Sequence, residues 1–269
     1  MNIIPITSPD AEELKIYTSV NETQLKHYYE PNGGLFISES PGVTRLALDA
    51  GCEPVSMLLS PKDIEGEARE IVSRMGDKPI YTIEDGIIDL IDGFHLIRGA
   101  QCLMKRKPLP LLDDIVRNAR RIAVIDDVQN PTNVGAIIRC AAALGIDAVV
   151  VTASCSDPLY RRASRVSMGT VFQIPWTMID KSSSENYIDI LSEYGFKTAA
   201  MALDDNSLSI DDPFLKDVEK LALVLGSEGY GLPYDTIKKC AYTVKIPMYH
   251  GVDSLNVAAA AAVAFWQLR

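Results

Sequence analysis

The sequence predicts an α/β chain of two units, a smaller one followed by an open, mostly parallel sheet. Three observations carry that expectation. Helical and extended signals alternate along nearly the whole chain. The strand-like runs of the C-terminal half are almost continuously apolar, as in parallel strands covered on both faces by helices. A stiff Lys107-Pro108-Leu109-Pro110 connector separates the halves, because proline disfavours helix at its own position and just before it.

In the first half, Leu35 to Ser38 reads as a strand, Val43 to Ala50 as a helix stopped by Gly51, and Val55 to Leu59 as a second strand. Ile64 to Met75 reads as a helix, Ile80 to Ile83 as extended, Gly86 to Ile91 as a short helix and Gly99 to Met104 as the last strand. In the second half the strands are expected at Ile122 to Val128, Ala148 to Thr152, Lys197 to Ala202, Leu221 to Leu225 and Thr243 to Ile246. Helices fit between them at Val134 to Leu144, near Ile188 to Tyr194, at Tyr234 to Lys239 and at Leu255 to Leu268. The domains are accordingly placed at 1–107 and 119–269, with 108–118 as linker.

Bulk properties exclude several classes. With 269 residues, 47% of them hydrophobic and 23% charged, the chain has the composition of a folded globular protein. The apolar stretch Val257 to Trp266 is far short of the roughly 20 residues that span a bilayer. The opening Met1-Asn2-Ile3-Ile4-Pro5 is no signal peptide, so a cytoplasmic protein without membrane partners is expected. Five scattered cysteines suit neither a disulfide framework nor a zinc site. A net charge of −10 argues against nucleic-acid binding over the whole surface. Basic residues do cluster locally: Arg98, Lys105, Arg106, Lys107, Arg117, Arg120 and Arg121 face only Asp113 and Asp114 in their stretch, and Arg161, Arg162 and Arg165 form a second knot. On charge alone these read as a solvated linker and a solvated helix face ahead of a contact to RNA.

Three segments of the second half could carry chemistry, each at the end of an expected strand, where open α/β sheets gather ligands. The first is Gln129-Asn130-Pro131-Thr132-Asn133 running into a helix. Asn133 is placed to cap that helix, and Arg139 projects opposite to the buried face of Val134, Ile137, Ile138, Ala141 and Leu144. The second, Gly226-Ser227-Glu228-Gly229-Tyr230-Gly231-Leu232, has three glycines that let a ligand approach the backbone, and one carboxylate. The third runs from Ile246-Pro247-Met248 to Ser254-Leu255-Asn256-Val257, with Ser254 a natural N-cap and Asn256 in the first helical turn. No Gly-x-Gly-x-x-Gly follows any strand, which argues against a dinucleotide-dependent oxidoreductase.

Together, Asn133-x-Gly-x-x-x-Arg139, Gly226-Ser-Glu-Gly-x-Gly-Leu232 and Ile246-Pro-Met with Ser254-Leu-Asn-Val257 resemble the three signature motifs of the SpoU (TrmH) family of RNA ribose 2′-O-methyltransferases. Residues 157 to 169 resemble the loop between the family's first two motifs, and residues 10 to 106 resemble, more loosely, an L30e-like RNA-binding domain. The resemblance implies a SPOUT-type sheet with a trefoil knot and a homodimer through the knotted region. It implies S-adenosylmethionine as cofactor, without a metal, and structured RNA as substrate, with ribosomal RNA ahead of transfer RNA. Gly226, Ile246, Met248 and Leu255 would hold the cofactor. Asn133, Arg139, Glu228, Ser254 and Asn256 would form the catalytic cluster, and Lys105, Arg106, Arg161, Arg162 and Arg165 would contact RNA. A catalytically silent RNA-binding protein of the same fold is the alternative.

Overall fold

The computed structural model describes residues 1–93, 96, 99–204 and 206–269; Arg98 of the first basic cluster lies outside them. The chain divides into two compact units. One comprises residues 1–108 and 159–172, the other 109–158 and 173–269.

The first unit is built on a five-stranded sheet of β1 (Asn2–Ile6), β2 (Leu35–Glu39), β3 (Pro54–Leu59), β4 (Pro79–Ile83) and β5 (Ala100–Lys105), in the order β1-β4-β3-β5-β2. Neighbours β1, β4 and β3 run parallel, whereas β5 is antiparallel to both β3 and β2. β1 was not anticipated from the sequence, because Pro5 is unfavourable inside a sheet; as an edge strand pairing only with β4, it has one side free of ladder bonds. Ile6, Leu25, Leu35, Ile37, Leu58, Ile83 and Leu103 form the core with Tyr17, whose hydroxyl is 2.6 Å from the Ser56 hydroxyl. The helix expected over Ile64 to Met75 shrinks to Arg69–Ser73, preceded by a 3-10 turn at Pro61–Asp63. Gly66 sits at the interruption, where glycine weakens helix most.

The second unit carries a seven-stranded, all-parallel sheet: β6 (Arg121–Ile125), β7 (Ala148–Val151), β8 (Trp176–Met178), β9 (Lys197–Met201), β10 (Leu208–Ser209), β11 (Leu221–Leu225) and β12 (Tyr242–Lys245). Its order is β10-β12-β9-β11-β6-β7-β8. β11 is buried along its whole length, as its unbroken apolar sequence requires. The sequence signal missed only the two short edge strands, β8 and β10. Helices Pro131–Ala143 and Val257–Leu268 pack against each other. Ala261 and Ala264 are fully buried in the latter, so its alanines serve close packing.

Two boundaries need correction. The expected linker 108–118 contains the helix Leu112–Val116, and Val116 is fully buried in the core of the second unit, so only the residues before it connect. Residues 159–172, expected within the catalytic domain, belong to the first unit. They are held there by Phe172 against Phe36, by Arg161 donating to the carbonyls of Tyr17 at 2.9 Å and Val20 at 3.3 Å, and by two ion pairs described below. Among the described residues, no helix is long and apolar enough to cross a membrane.

Candidate active site

The site is built at the carboxyl ends of parallel strands β9, β11 and β12, where an open cleft of about 400 Å³ lies in the second unit. That volume falls within the roughly 300–1,000 Å³ of small-molecule sites. Its floor begins with Gly226, directly after β11. A Cβ there would lie 2.6 Å from the backbone of Gly231 and Leu232, so no other residue fits beneath the returning turn. The turn is closed by the Gly231 amide donating to the Ser227 carbonyl at 3.0 Å, and Gly231 itself has φ of +66°.

All four residues expected to hold a cofactor, Gly226, Ile246, Met248 and Leu255, line this cleft, and Glu228 and Ser254 line it as well. Sequence reasoning missed Met201 and Leu203 at the end of β9, together with Lys245 and Asp253. The signal available for the first two was their place at the carboxyl end of a parallel strand beside β11. The composition fits S-adenosylmethionine: apolar walls suit its adenine, backbone groups of the glycine turn come within reach, and the Glu228 and Asp253 carboxylates suit a cationic ligand.

Beside the cleft, the three motif segments meet through one side chain. Asn256 Nδ2 donates to Glu228 Oε1 at 2.5 Å and to Asn133 Oδ1 at 3.2 Å. Asn256 Oδ1 accepts from the amides of Ala258 at 3.0 Å and Ala259 at 3.4 Å. Asn256, not Ser254, is therefore the N-cap of the Val257–Leu268 helix, and its amide is saturated. Because Oδ1 must face the two backbone donors, Nδ2 must face Glu228, and the same logic turns Asn133 Oδ1 toward Asn256. Asn133 then keeps Nδ2 as a buried donor without a partner among the described residues, on a side chain of a residue only 5% exposed. Such an orphan costs about 1–3 kcal/mol unless a ligand oxygen accepts from it.

Asn133 differs from expectation in one respect: it lies inside the helix, and Asn130 is the cap, accepting from the Thr132 amide at 2.9 Å. The Pro131 ring at the first helical position fixes the start there. Arg139 is exposed and makes no hydrogen bond or ion pair among the described residues. It stands six residues beyond Asn133, about 9 Å along the helix and on a different face, so the cluster does not include it. Ser254 is also apart, its hydroxyl donating to Asp253 Oδ1 at 3.2 Å.

At the end of β6, Asp126 accepts from the Thr152 hydroxyl at 3.1 Å and the Tyr187 hydroxyl at 3.0 Å. Burial raises the pKa of the Asp126 carboxyl and of the Tyr187 phenol. Burial likewise raises that of the half-buried Cys140 thiol, against the pull of Arg139.

Of the residues expected to contact RNA, most are engaged in the first unit. Arg165 pairs with Glu39, with side chains 19% and 7% exposed. Arg161 Nε lies 3.0 Å from Glu22 Oε1, and burial raises the Glu22 carboxyl pKa despite that arginine. Lys105 Nζ lies 3.0 Å from Glu53, and Arg106 Nε donates to the Leu35 carbonyl at 3.2 Å. Arg162 is exposed.

Comparison with known proteins gives the lineage. The model of the SpoU rRNA methylase family matches residues 120–266. A Mycobacterium bovis protein described as an uncharacterized tRNA/rRNA methyltransferase is 32% identical over 268 residues, 99% of this chain and 92% of its own. The Bacillus subtilis 23S rRNA (guanosine(2553)-2′-O)-methyltransferase is 33% identical over 157 residues, 58% of this chain and 61% of its own. An AdoMet-bound rRNA methyltransferase from Sinorhizobium meliloti shares the fold with a TM-score of 0.81 at 22% identity, covering 99% of this chain and 97% of its own. The SpoU methyltransferase AviRb from Streptomyces viridochromogenes, in complex with AdoMet, does so with 0.76 at 22% identity, covering 95% of each. With the family match spanning more than half of its residues and a relative aligned along nearly all of them, the chain belongs to the SpoU rRNA methylase family.

Proposed function

We propose that this chain transfers a methyl group from S-adenosylmethionine to the 2′-hydroxyl of a ribose in structured RNA, ribosomal RNA first. The observation that carries the reading is the Asn256 bridge, which ties Asn133, Glu228 and the start of the last helix into one polar cluster beside a glycine-floored cleft. The names of the Bacillus and Mycobacterium relatives support the reaction and the RNA class.

S-adenosylmethionine supplies an electrophilic methyl on sulfur with a thioether as leaving group. In this reading Gly226, Ile246, Met248 and Leu255 hold it, and the Glu228 and Asp253 carboxylates favour its positive charge. The orphaned Asn133 Nδ2 donates to an oxygen of the target ribose or its phosphate, which fixes the hydroxyl in line for attack. Asn256 holds Asn133 and Glu228 in place rather than touching substrate.

A ribose hydroxyl must lose its proton as it becomes the nucleophile. Arg139 serves that step, by contacting the hydroxyl or the adjacent phosphate, and it does so across a homodimer. The support is an exposed apolar pair on the last helix, where Val263 and Trp266 are 41% and 57% exposed, with Arg139 exposed on the helix packed against it. Burying that face against a second copy would carry each Arg139 to the neighbouring site. The path from β11 past β9 to β12, then back to the Pro131–Ala143 helix, supports a trefoil knot in this region. The first unit, as an L30e-like substrate-binding domain, supplies RNA contacts through Lys105 and Arg162, while Arg161 and Arg165 hold residues 159–172 in that unit. The protein acts in the cytoplasm.

Transfer of labelled methyl from S-adenosylmethionine to purified rRNA and tRNA from cells lacking this chain tests the reading. Label in rRNA supports it, label in tRNA alone moves the substrate, and tight RNA binding without any transfer overturns it in favour of a silent RNA-binding protein.

A further inference from the structure

We propose that Tyr230 is a stacking platform for a nucleobase of the substrate RNA beside the reacting ribose, a specificity contact that rests on the RNA-methylation reading. Tyr230 is 98% exposed, and its ring has no aromatic, cationic or hydrogen-bonding partner among the described residues. A side chain left so bare buries no apolar area and gives folding nothing. It is nevertheless held in a defined place. Its turn is closed at the base by the Gly231 to Ser227 hydrogen bond, clamped over Gly226, and anchored by Leu232, which is 5% exposed in the core. The neighbours on both sides are glycines, with no side chains to crowd the ring, and at 98% exposure both of its faces are open.

Position selects the ligand. Tyr230 is among the residues that line the cleft, two residues after Glu228, whose carboxylate accepts from Asn256. The ring lines that cleft yet is 98% exposed, so it stays open to a ligand arriving from outside the pocket that takes the cofactor. Single-stranded RNA is bound by aromatic rings that stack on unpaired bases, combined with nearby cations for phosphates. The helix Tyr234–Lys239 that leaves this turn provides those cations in Lys238 and Lys239, both exposed, with Lys238 Nζ 4.4 Å from the Tyr234 ring centroid.

The test is steady-state methyl transfer by the full chain onto rRNA from cells lacking it, with RNA and S-adenosylmethionine varied in turn. Tyr230→Ala is expected to raise KM for RNA roughly 5- to 150-fold, the loss of one stacked base, while KM for S-adenosylmethionine and the sedimentation coefficient stay unchanged. Tyr230→Phe keeps the ring and should restore RNA affinity. The proposal is overturned if Tyr230→Ala matches wild type, if Phe and Ala lose equally, or if the loss falls on S-adenosylmethionine alone. A changed sedimentation coefficient overturns it too, in favour of a second copy covering the ring. If wild type transfers no methyl to RNA, the underlying reading fails and takes this proposal with it.

Discussion

Replacing Asn256 by alanine and by aspartate separates its two jobs, because aspartate caps a helix as well as asparagine does but donates nothing. Alanine removes the cap on Ala258 and Ala259, about 1 kcal/mol. It also strips Asn133 Oδ1 of its donor in a buried setting, about 1–3 kcal/mol more. Glu228 is exposed and regains water, so it adds little to that loss. The alanine variant should therefore be destabilised by roughly 2–4 kcal/mol and the aspartate variant by about 1 kcal/mol less. Activity should order the other way. Aspartate brings a second carboxylate against Glu228, and two such groups in contact do not both stay ionised, so the pair moves or binds a proton. With the buried Asn133 no longer anchored, a positioning loss of about 1–3 kcal/mol lowers kcat/KM roughly 5- to 150-fold in either variant, with aspartate at least as impaired. S-adenosylmethionine affinity should hold in the alanine variant, since Asn256 does not line the cleft and Glu228 keeps its charge. Urea denaturation, calorimetry with the cofactor and single-turnover methyl transfer give the three readouts. An aspartate variant with wild-type turnover, or one as unstable as alanine, would show that Asn256 does not play these two parts.

Three further outcomes follow from other parts of the molecule. Arg165→Ala strands Glu39 in a buried site and should lower stability by about 3–5 kcal/mol, with Glu39→Gln/Arg165→Met recovering most of it; unchanged melting with weakened RNA binding would make Arg165 an RNA contact instead. The Asp126 pKa is raised in the folded protein, so the stability Asp126 contributes is full below its unfolded value of about 3.9 and is lost as pH rises through the folded one. Urea titrations should then show Asp126→Asn gaining on wild type as pH climbs above that value, and a difference that is flat or falls with pH contradicts the assignment. If Arg139 serves the neighbouring protomer, mixing and re-equilibrating the inactive Arg139→Ala and Asn256→Asp dimers should restore about a quarter of wild-type activity, because each mixed dimer holds one intact site; no recovery places both residues in the same protomer's site.

The sheet of the second unit was legible because burial on both faces demands unbroken apolar runs, and β11 was read to its last residue. Edge strands were not, since β8 and β10 are too short to show a period, and Pro5 in β1 argues against a strand until its edge position is known. The candidate site was legible as residue types at strand ends, and the structure brings Asn133, Glu228 and Asn256 together from positions up to 123 residues apart. Local chemistry misplaced both caps: Asn133 and Ser254 are good capping residues, yet Asn130 and Asn256 compete for the same role and win, through Pro131 in one case and the bridge to Glu228 in the other. The partners of Arg161 and Arg165 in the second basic cluster were hidden for a different reason. Glu22 and Glu39, which neutralise Arg161 and Arg165, lie 139 and 126 residues away, so no sequence window containing the arginines contains their partners.

Transfer of the methyl to a ribose oxygen, rather than to a base, leaves RNA with a signature that alkali reads. Alkaline cleavage of RNA needs a free 2′-hydroxyl, so a 2′-O-methylated ribose survives as an alkali-stable dinucleotide. After transfer of labelled methyl to rRNA, label is expected only in alkali-stable dinucleotides and is lost with Asn256→Asp. Label released in mononucleotides would mean that a base is methylated, and would contradict transfer to the ribose.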